Sequence, residues 1–351
     1  LTGATMARFL ADAGREVLVL ERRAHVGGNV HDTLHPSGIR FHTYGPHHFR
    51  THSARVWDYV RRFGDFFKYE AIVKTQIDGQ LENWSIGVGT MRRLAGDAWQ
   101  PDFDGAPTNF EEACLAKMPR VVYKKFVKGY TEKQWGVAPA TLDAALSKRV
   151  SVWMDNDPRL MRHRYQGIPS QGYAVWMEQM LAGIPVQLET DYLRARNDFC
   201  ARKKLIFTGP IDEFFDFDLG RLHYRGQQRE HVYYPDIAYA QPCAQINNPD
   251  PTQGAHIRTL EWKHMLPRAD AEKIRGTLLT RETTFSPDDP NRYEYPFPDA
   301  ANAALYQKYR RRAQAQRNIL FCGRLGEYRY YDMDQAIGRA WILAERLARE
   351  T

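Results

Sequence analysis

Residues 1–29, LTGATMARFLADAGREVLVLERRAHVGGN, decide how the fold is read. Small and apolar residues recur at helical spacing over residues 4–13, and Gly14 stands where a glycine ends a helix. Residues 16–21, EVLVLE, are nearly continuously apolar, as in a buried parallel strand. Gly3 then reads as the last glycine of a GxGxxG turn. There it would allow close helix–strand packing while the helix N-terminus faces a pyrophosphate. Glu21 closes the strand and is placed to bind a ribose hydroxyl pair. Arg22 offers the alternative of a 2′-phosphate. The glycine pair Gly27 and Gly28 favours FAD, because backbone lying against the flavin and pyrophosphate leaves no room for side chains. The strand and two further glycines expected ahead of Gly3 have no counterpart in the sequence. The expected fold is therefore α/β, with a Rossmann-like FAD-binding domain whose first strand is absent from the chain.

The rest of the chain bounds this reading. Its 351 residues exceed what one core usually supports, so two or three domains are expected. No apolar run approaches the ~18 residues that span a bilayer, and no signal peptide is visible. Cys114, Cys200, Cys243 and Cys322 are scattered and form no CxxC, which suits a reduced, cytoplasmic setting. A net charge of +7 invites an anionic partner. No nucleic-acid-reading motif accompanies it, and the RRR tract at 310–312 reads as a solvated helix face. A phosphorylated small molecule fits better. The abundant tyrosines suit either a sugar or base pocket or an aromatic core.

Further along, a helix is expected over residues 53–63 and strands over 70–77. Residues 109–128 read as mostly helical, with Asn109 and Glu112 spaced as N-cap and third helical residue and Pro119 breaking the run. Residues 190–278 alternate short strand candidates with turns and suggest an antiparallel sheet. A strand at 319–323 and a helix from Met333 form a last unit that would return to complete the flavin site.

Several motifs carry chemistry. HTYGPHHF holds His42, His47 and His48, but no carboxylate or cysteine completes a metal set at familiar spacing, so no metal is expected. A Gly-Pro turn aiming His47 at a ligand is preferred, against a purely structural turn. FVKGYTEKQWG (126–136) places Tyr130 and Trp135 in a polar, glycine-containing turn where a planar ligand could stack; a core role is the plainer alternative. Arg149, Arg258, Arg292 and Arg324 lie in or near turns, where guanidinium groups suit bidentate phosphate binding or simply decorate the surface.

Taken together, ERRAHVGGN, HTYGPHHF, VVYKKFVKGYTEKQWG, YQGIPSQGY, FTGPIDEFFDFDLGRLHYR, IRTLEWKH and FCGRLGEYRYYDMDQAI resemble the bacterial UDP-galactopyranose mutase family, in order along almost the whole chain. The resemblance implies a discontinuous FAD domain (1–62, 202–215, 316–351). It also implies a helical domain (88–165) with a mobile lid near 152–164, and an antiparallel sheet domain (63–87, 166–201, 216–315). It implies redox-neutral interconversion of UDP-galactopyranose and UDP-galactofuranose, in which N5 of reduced FAD attacks the anomeric carbon and UDP leaves. Arg149 and Arg258 would grip the diphosphate. Trp135, Tyr130 and Phe126 would flank the uridine, and Tyr295, Tyr330 and Asp332 would surround galactose and phosphates. His47 would lie near the flavin. The cofactor set would be Gly3, Glu21, Arg22, Gly27, Gly28, Asn29, His47, Gly323, Arg324, Asp332 and Met333. An external reductant and a homodimer are expected, with neither nucleic acid nor membrane insertion.

Two departures stand out. Gly87 in WSIGVGT (84–90) takes the place of an Asn common in bacterial members, and the lid lacks their aromatic richness. The competing readings are an amine-oxidase-like or desaturase-like FAD oxidoreductase, and a degenerate nucleotide-binding module without turnover.

Overall fold

A computed structural model of the protein describes residues 1–349. The helix Thr2–Asp12 turns Ala4, Met6 and Ala7 inward. It packs along the C-terminal helix Met333–Arg349, where Met6 meets Ala340, Leu343 and Ala344. Small residues at the seam let the two helices lie close. EVLVLE yields only a short strand, Val19–Leu20, paired in parallel with Val186–Gln187, and Leu18 is 47% exposed. The expectation of a long buried strand fails because one edge alone is paired and the other borders an open cleft. A second parallel pair, Leu205–Phe207 with Ile319–Phe321, forms the far wall of that cleft.

Seven of the described strands make the largest sheet. Their order is Tyr295–Pro296, Tyr224–Tyr234, Thr277–Phe285, Arg258–Glu261, Gln245–Asn247, Val73–Ile77 and Gln80–Asn83. Neighbours run antiparallel except Gln245–Asn247 against Val73–Ile77, which are parallel, so the expected antiparallel sheet is mixed at that join. The register sets Arg229 opposite Glu282, Glu282 opposite Arg258, Arg258 opposite Asn247 and Asn247 opposite Thr75. Directly paired residues share a face, so a single polar rung crosses five strands.

The helical layer opens with Val88–Ala95, whose Met91 joins its core, and continues at Phe110–Leu115, capped by the Asn109 side chain accepting from Glu112 N. Pro119 breaks the run as expected, and the chain resumes as Arg120–Val122, a π-helical stretch Tyr123–Lys128 and the helix Gly129–Trp135. Lys133 ties this last helix to the sheet by donating to the carbonyls of Asn248, Asp250 and His256.

The strands within residues 166–201 pair with the first layer, and their core is continuous with Leu260 and Leu278 of the large sheet. Tyr165–Pro169 pairs with Phe49–Thr51 and Phe66–Lys68. Trp176, Met177 and Met180 of the helix Tyr173–Met180 share a core with Ala4 and Ala7, and Val186–Gln187 completes the first parallel pair. Among the described residues no helix is long and apolar enough to cross a membrane.

Candidate active site

A cleft of about 1590 Å³ opens between the two parallel pairs. The first turn of helix Thr2–Asp12 lines it, with no capping side chain and no acidic residue there. Its N–H groups therefore offer a positive end to an anion. Glu21 lines the cleft with one carboxylate oxygen accepting from Arg23 N at 3.0 Å and the other without a hydrogen bond among the described residues. Gly27 (φ +94°) is obligatory, since a Cβ there would lie 2.4 Å from Val30 O. Gly28 (φ +60°) has nothing within 4 Å of such a Cβ, so bare backbone faces open space. These features fit a dinucleotide of the FAD type.

Three expectations change here. Arg22 also lines the cleft, but its fork is taken by Glu213 at 3.0 and 2.7 Å, which cancels the charge a 2′-phosphate would need. Asn29 spends its side-chain oxygen on Arg23 at 2.9 Å. A Cβ on Gly3 would meet only Thr208, at an ordinary 3.6 Å, so close packing does not explain that glycine. Gly323, Arg324 and Met333 line the cleft with Gly3 and His47. Asp332 lies outside this lining.

His47 and Arg324 join the cleft to a cluster of arginines and tyrosines. Arg324 donates to Glu294 O (3.0 Å) and Tyr331 O (2.9 Å), and its guanidinium lies over the rings of Tyr330 (4.8 Å) and Tyr295 (5.7 Å). Arg149 also rests on Tyr330, 4.0 Å from the ring centroid. It makes no hydrogen bond or ion pair with another described residue and keeps exposed surface among Tyr130, Tyr295 and Asp332. Tyr330 donates its hydroxyl to Asp332 at 3.1 Å, and Asp332 pairs with Arg50 at 3.0 Å. On the polar rung Glu282 is gripped by Arg258 (2.5 Å) and Arg229 (2.8 Å), and Arg229 continues to Glu294.

Arg50, Arg149, Arg229, Arg258 and Arg324 thus face Glu282, Glu294 and Asp332. The group carries a surplus of two positive charges, suited to a dianion. Burial works to raise the Glu282 carboxyl, yet Arg258 and Arg229 hold it below the usual carboxylate range. Burial wins at Glu294, which is raised. His47 donates from Nδ1 to Gly45 O at 2.7 Å, which leaves Nε2 as an acceptor. Burial and then Arg324 lower its pKa to about 4, so the ring is neutral at pH 7. His42 accepts from His47 N through Nδ1 at 2.8 Å.

The uridine side is corrected in part. Phe126 is wholly buried with Val122, Tyr123 and Val127, and Trp135 is 7% exposed in the same core, edge-on to Phe297. The helical run turns both inward because the layer's core needs their rings. Tyr130 instead sits between Trp84 (5.1 Å) and the Arg258–Arg149 pair. Arg292 lies on Phe285, apart from the cluster. Arg50, Arg229, Glu282 and Glu294 were not anticipated. Glu282 had a signal: in Thr277–Phe285 it falls in phase with the inward Leu278 and Thr280.

Known proteins were compared with this chain. A family model described as UDP-galactopyranose mutase matches residues 125–330, and one described as an NAD(P)-binding Rossmann-like domain matches residues 1–63. A probable UDP-galactopyranose mutase of Klebsiella pneumoniae is 32% identical over 98% of this chain and 91% of its own length. A dTDP-fucopyranose mutase of Escherichia coli is also 32% identical, over 97% and 94%. A crystal structure of reduced UDP-galactopyranose mutase superposes with a TM-score of 0.76, covering 100% of this chain and 92% of the other; at 13% identity it speaks for the fold alone.

Proposed function

The chain belongs to the UDP-galactopyranose mutase family, and from that premise we propose that it interconverts UDP-galactopyranose and UDP-galactofuranose. The observation that carries this reading is the junction at His47 and Arg324, where a dinucleotide cleft meets an arginine–tyrosine cluster with two surplus positive charges. One site would hold the cofactor and the other a sugar diphosphate, with the reacting atoms between them.

FAD would lie with its ribose at Glu21 and its pyrophosphate across the first turn of Thr2–Asp12 and the Gly27–Gly28 backbone. In its reduced form, maintained by an external reductant, it would supply N5 as the nucleophile for the galactose anomeric carbon. Everything else falls to the protein. Arg149 and Arg258 take the diphosphate; negative charge grows there as the glycosidic bond breaks, so their stabilisation is strongest when it is needed. Arg149 is the freer of the two, with no carboxylate to leave. Tyr295, Tyr330 and Asp332 orient the sugar, and Tyr130 stacks towards the uracil. His47, neutral and with Nε2 accepting, holds a donor of the flavin or the sugar in place. The working unit is a homodimer in the cytoplasm.

The equal identity to a dTDP-fucopyranose mutase makes the nucleotide sugar the sharpest question. The test is turnover with dithionite-reduced FAD, supplying UDP-galactofuranose in one arm and dTDP-fucofuranose in the other, with chromatographic separation of pyranose and furanose forms. UDP-galactopyranose should accumulate in the first arm and need reductant. Turnover of the fucose sugar alone would move the substrate to the second, and no turnover of either with flavin bound would remove the mutase reading.

A further inference from the structure

We infer that Asn156 is a positioning residue that fastens the lid segment beside Arg149; this rests on the diphosphate reading of Arg149 above. The helix Val88–Ala95 starts at Gly87, which has no side chain to cap it. Its first amides are met from another part of the chain. Gly89 N donates to the Asn156 side-chain oxygen at 2.8 Å, 67 residues away, and Val88 N donates to Asp155 O at 3.2 Å. An Asn amide oxygen is among the best caps for such a helix start. Here it arrives from across the chain and docks one segment on another.

Two glycines make the dock. A Cβ on Gly87 would lie 2.7 Å from Asp155 O and 3.1 Å from Asn156 Oδ1. A Cβ on Gly89 would lie 2.6 Å from the same oxygen. Gly87 has φ −90°, which any residue adopts, so close approach and not backbone conformation calls for glycine there.

The docked segment leads directly to the site. Ile86–Gly87 pairs in parallel with Val152–Trp153, and Ile86 N donates to Ser151 O at 3.0 Å, just beyond Arg149. Two residues before Ile86, Trp84 packs against Tyr130. Within the loop Arg162 pairs with Asp155 and lies 4.3 Å from the Trp153 ring, while Arg159 links Asp157 to Glu70. These pairs are largely solvated and each holds weakly. They keep the loop's shape, and the cap fixes where that shape sits. Among the described residues Arg149 has no ion pair; its place is set by the turn Ala144–Arg149 that it ends, by its ring contact and by the strand that follows.

The test uses Asn156→Ala, Gly89→Ala and Asn156→Asp in the full chain. Hydrogen exchange of the Gly89 amide and of residues 150–157 is read in the unliganded protein, and kcat and KM with reduced FAD and UDP-galactofuranose. Exchange at these amides should quicken by about tenfold in both Ala variants, the loss of one cap. The ratio kcat/KM should fall by a similar factor, with flavin affinity unchanged within about twofold. Asn156→Asp keeps the acceptor and should restore both. Unchanged exchange in Asn156→Ala overturns the cap, and faster exchange with unchanged kcat/KM overturns the positioning role. If the parent turns over no nucleotide sugar, the assigned function has failed; UDP affinity, read by tryptophan quenching, then decides whether the cap still positions Arg149. Equal affinity in parent and Asn156→Ala would overturn it.

Discussion

At the scale of single residues, Arg149 and Arg258 separate activity from stability. Arg258 is bound to a buried carboxylate, whereas Arg149 only rests on a ring. Arg149→Ala is expected to lower kcat/KM by about a hundredfold or more, by loss of charge stabilisation at the leaving group, while costing under ~1 kcal/mol in urea unfolding. Glu282→Gln should do the reverse in emphasis. It leaves Arg229 and Arg258 facing each other around a neutral group, and breaking a buried pair costs about 3 kcal/mol. Urea midpoints and turnover measured on both variants check this. A Glu282→Gln protein as stable as the parent would show the rung to be dispensable. Arg149 and Arg258 were legible from motif order. Glu282 was legible only from its phase along the strand, and Arg50, lodged in HHFRT beside three histidines, gave no signal at all.

At the scale of elements, this protein twice begins a helix with glycine and caps it from elsewhere. The helix Tyr173–Met180 follows Gly172, and Asp32, 141 residues away, accepts from Tyr173 N and also from Ala174 N. Gly172 has φ +89°, and a Cβ would lie 2.6 Å from Asp32 Oδ2 and 2.7 Å from Arg40. Gly172→Ala therefore combines left-handed strain with a clash and should cost about 3 kcal/mol, seen as a lower thermal midpoint. Asp32→Ala, which uncaps the helix and also removes the 3.2 Å ion pair with Arg40 but brings no clash, should cost about 1–2 kcal/mol. If the two costs are equal, the glycine serves the cap alone. A local cap could be read in advance, as at Asn109, whose side chain accepts from Glu112 N. A cap from across the chain could not, because sequence spacing carries no record of it. The two departures noted beforehand, Gly87 and the altered lid, turn out to touch each other through Asn156. The sequence displayed them as separate oddities, and only the fold makes them one contact.

At the scale of the molecule, periodicity foretold which segments are helices and strands better than which layer they join. The helix Tyr173–Met180 and strand Val186–Gln187 have the same patterns whichever sheet receives them, so where 166–201 packs was not legible from pattern. What binds the layers is the stretch 31–48, whose histidines give the molecule a pH dependence. Burial lowers His31 and His47 to about 4 and His48 to about 3, and holds His42 well below its ordinary value. The unfolded chain takes up protons on these rings from about pH 6.5 downward, while the folded chain does not until about pH 4. Stability is thus full above pH 6.5 and falls as pH drops towards 4. Between pH 6.5 and 4.5 these histidines lower stability, while Asp212, which burial raises to about 6, works against them by taking up its proton in the folded chain first; the depressed carboxylates Glu282 and Asp332 begin to lose their share only below that window. The Nε2 of His48 is buried without a partner, so His48→Phe removes a titrating group and strands no hydrogen bond. Urea midpoints followed from pH 7.5 to 4.5 should decline more gently in His48→Phe than in the parent, with the two curves closest at neutral pH and furthest apart at the acid end. Parallel curves would mean that the His48 ring takes up its proton equally in the folded and unfolded chain, and the seam between cleft and sheet would have to be solvated.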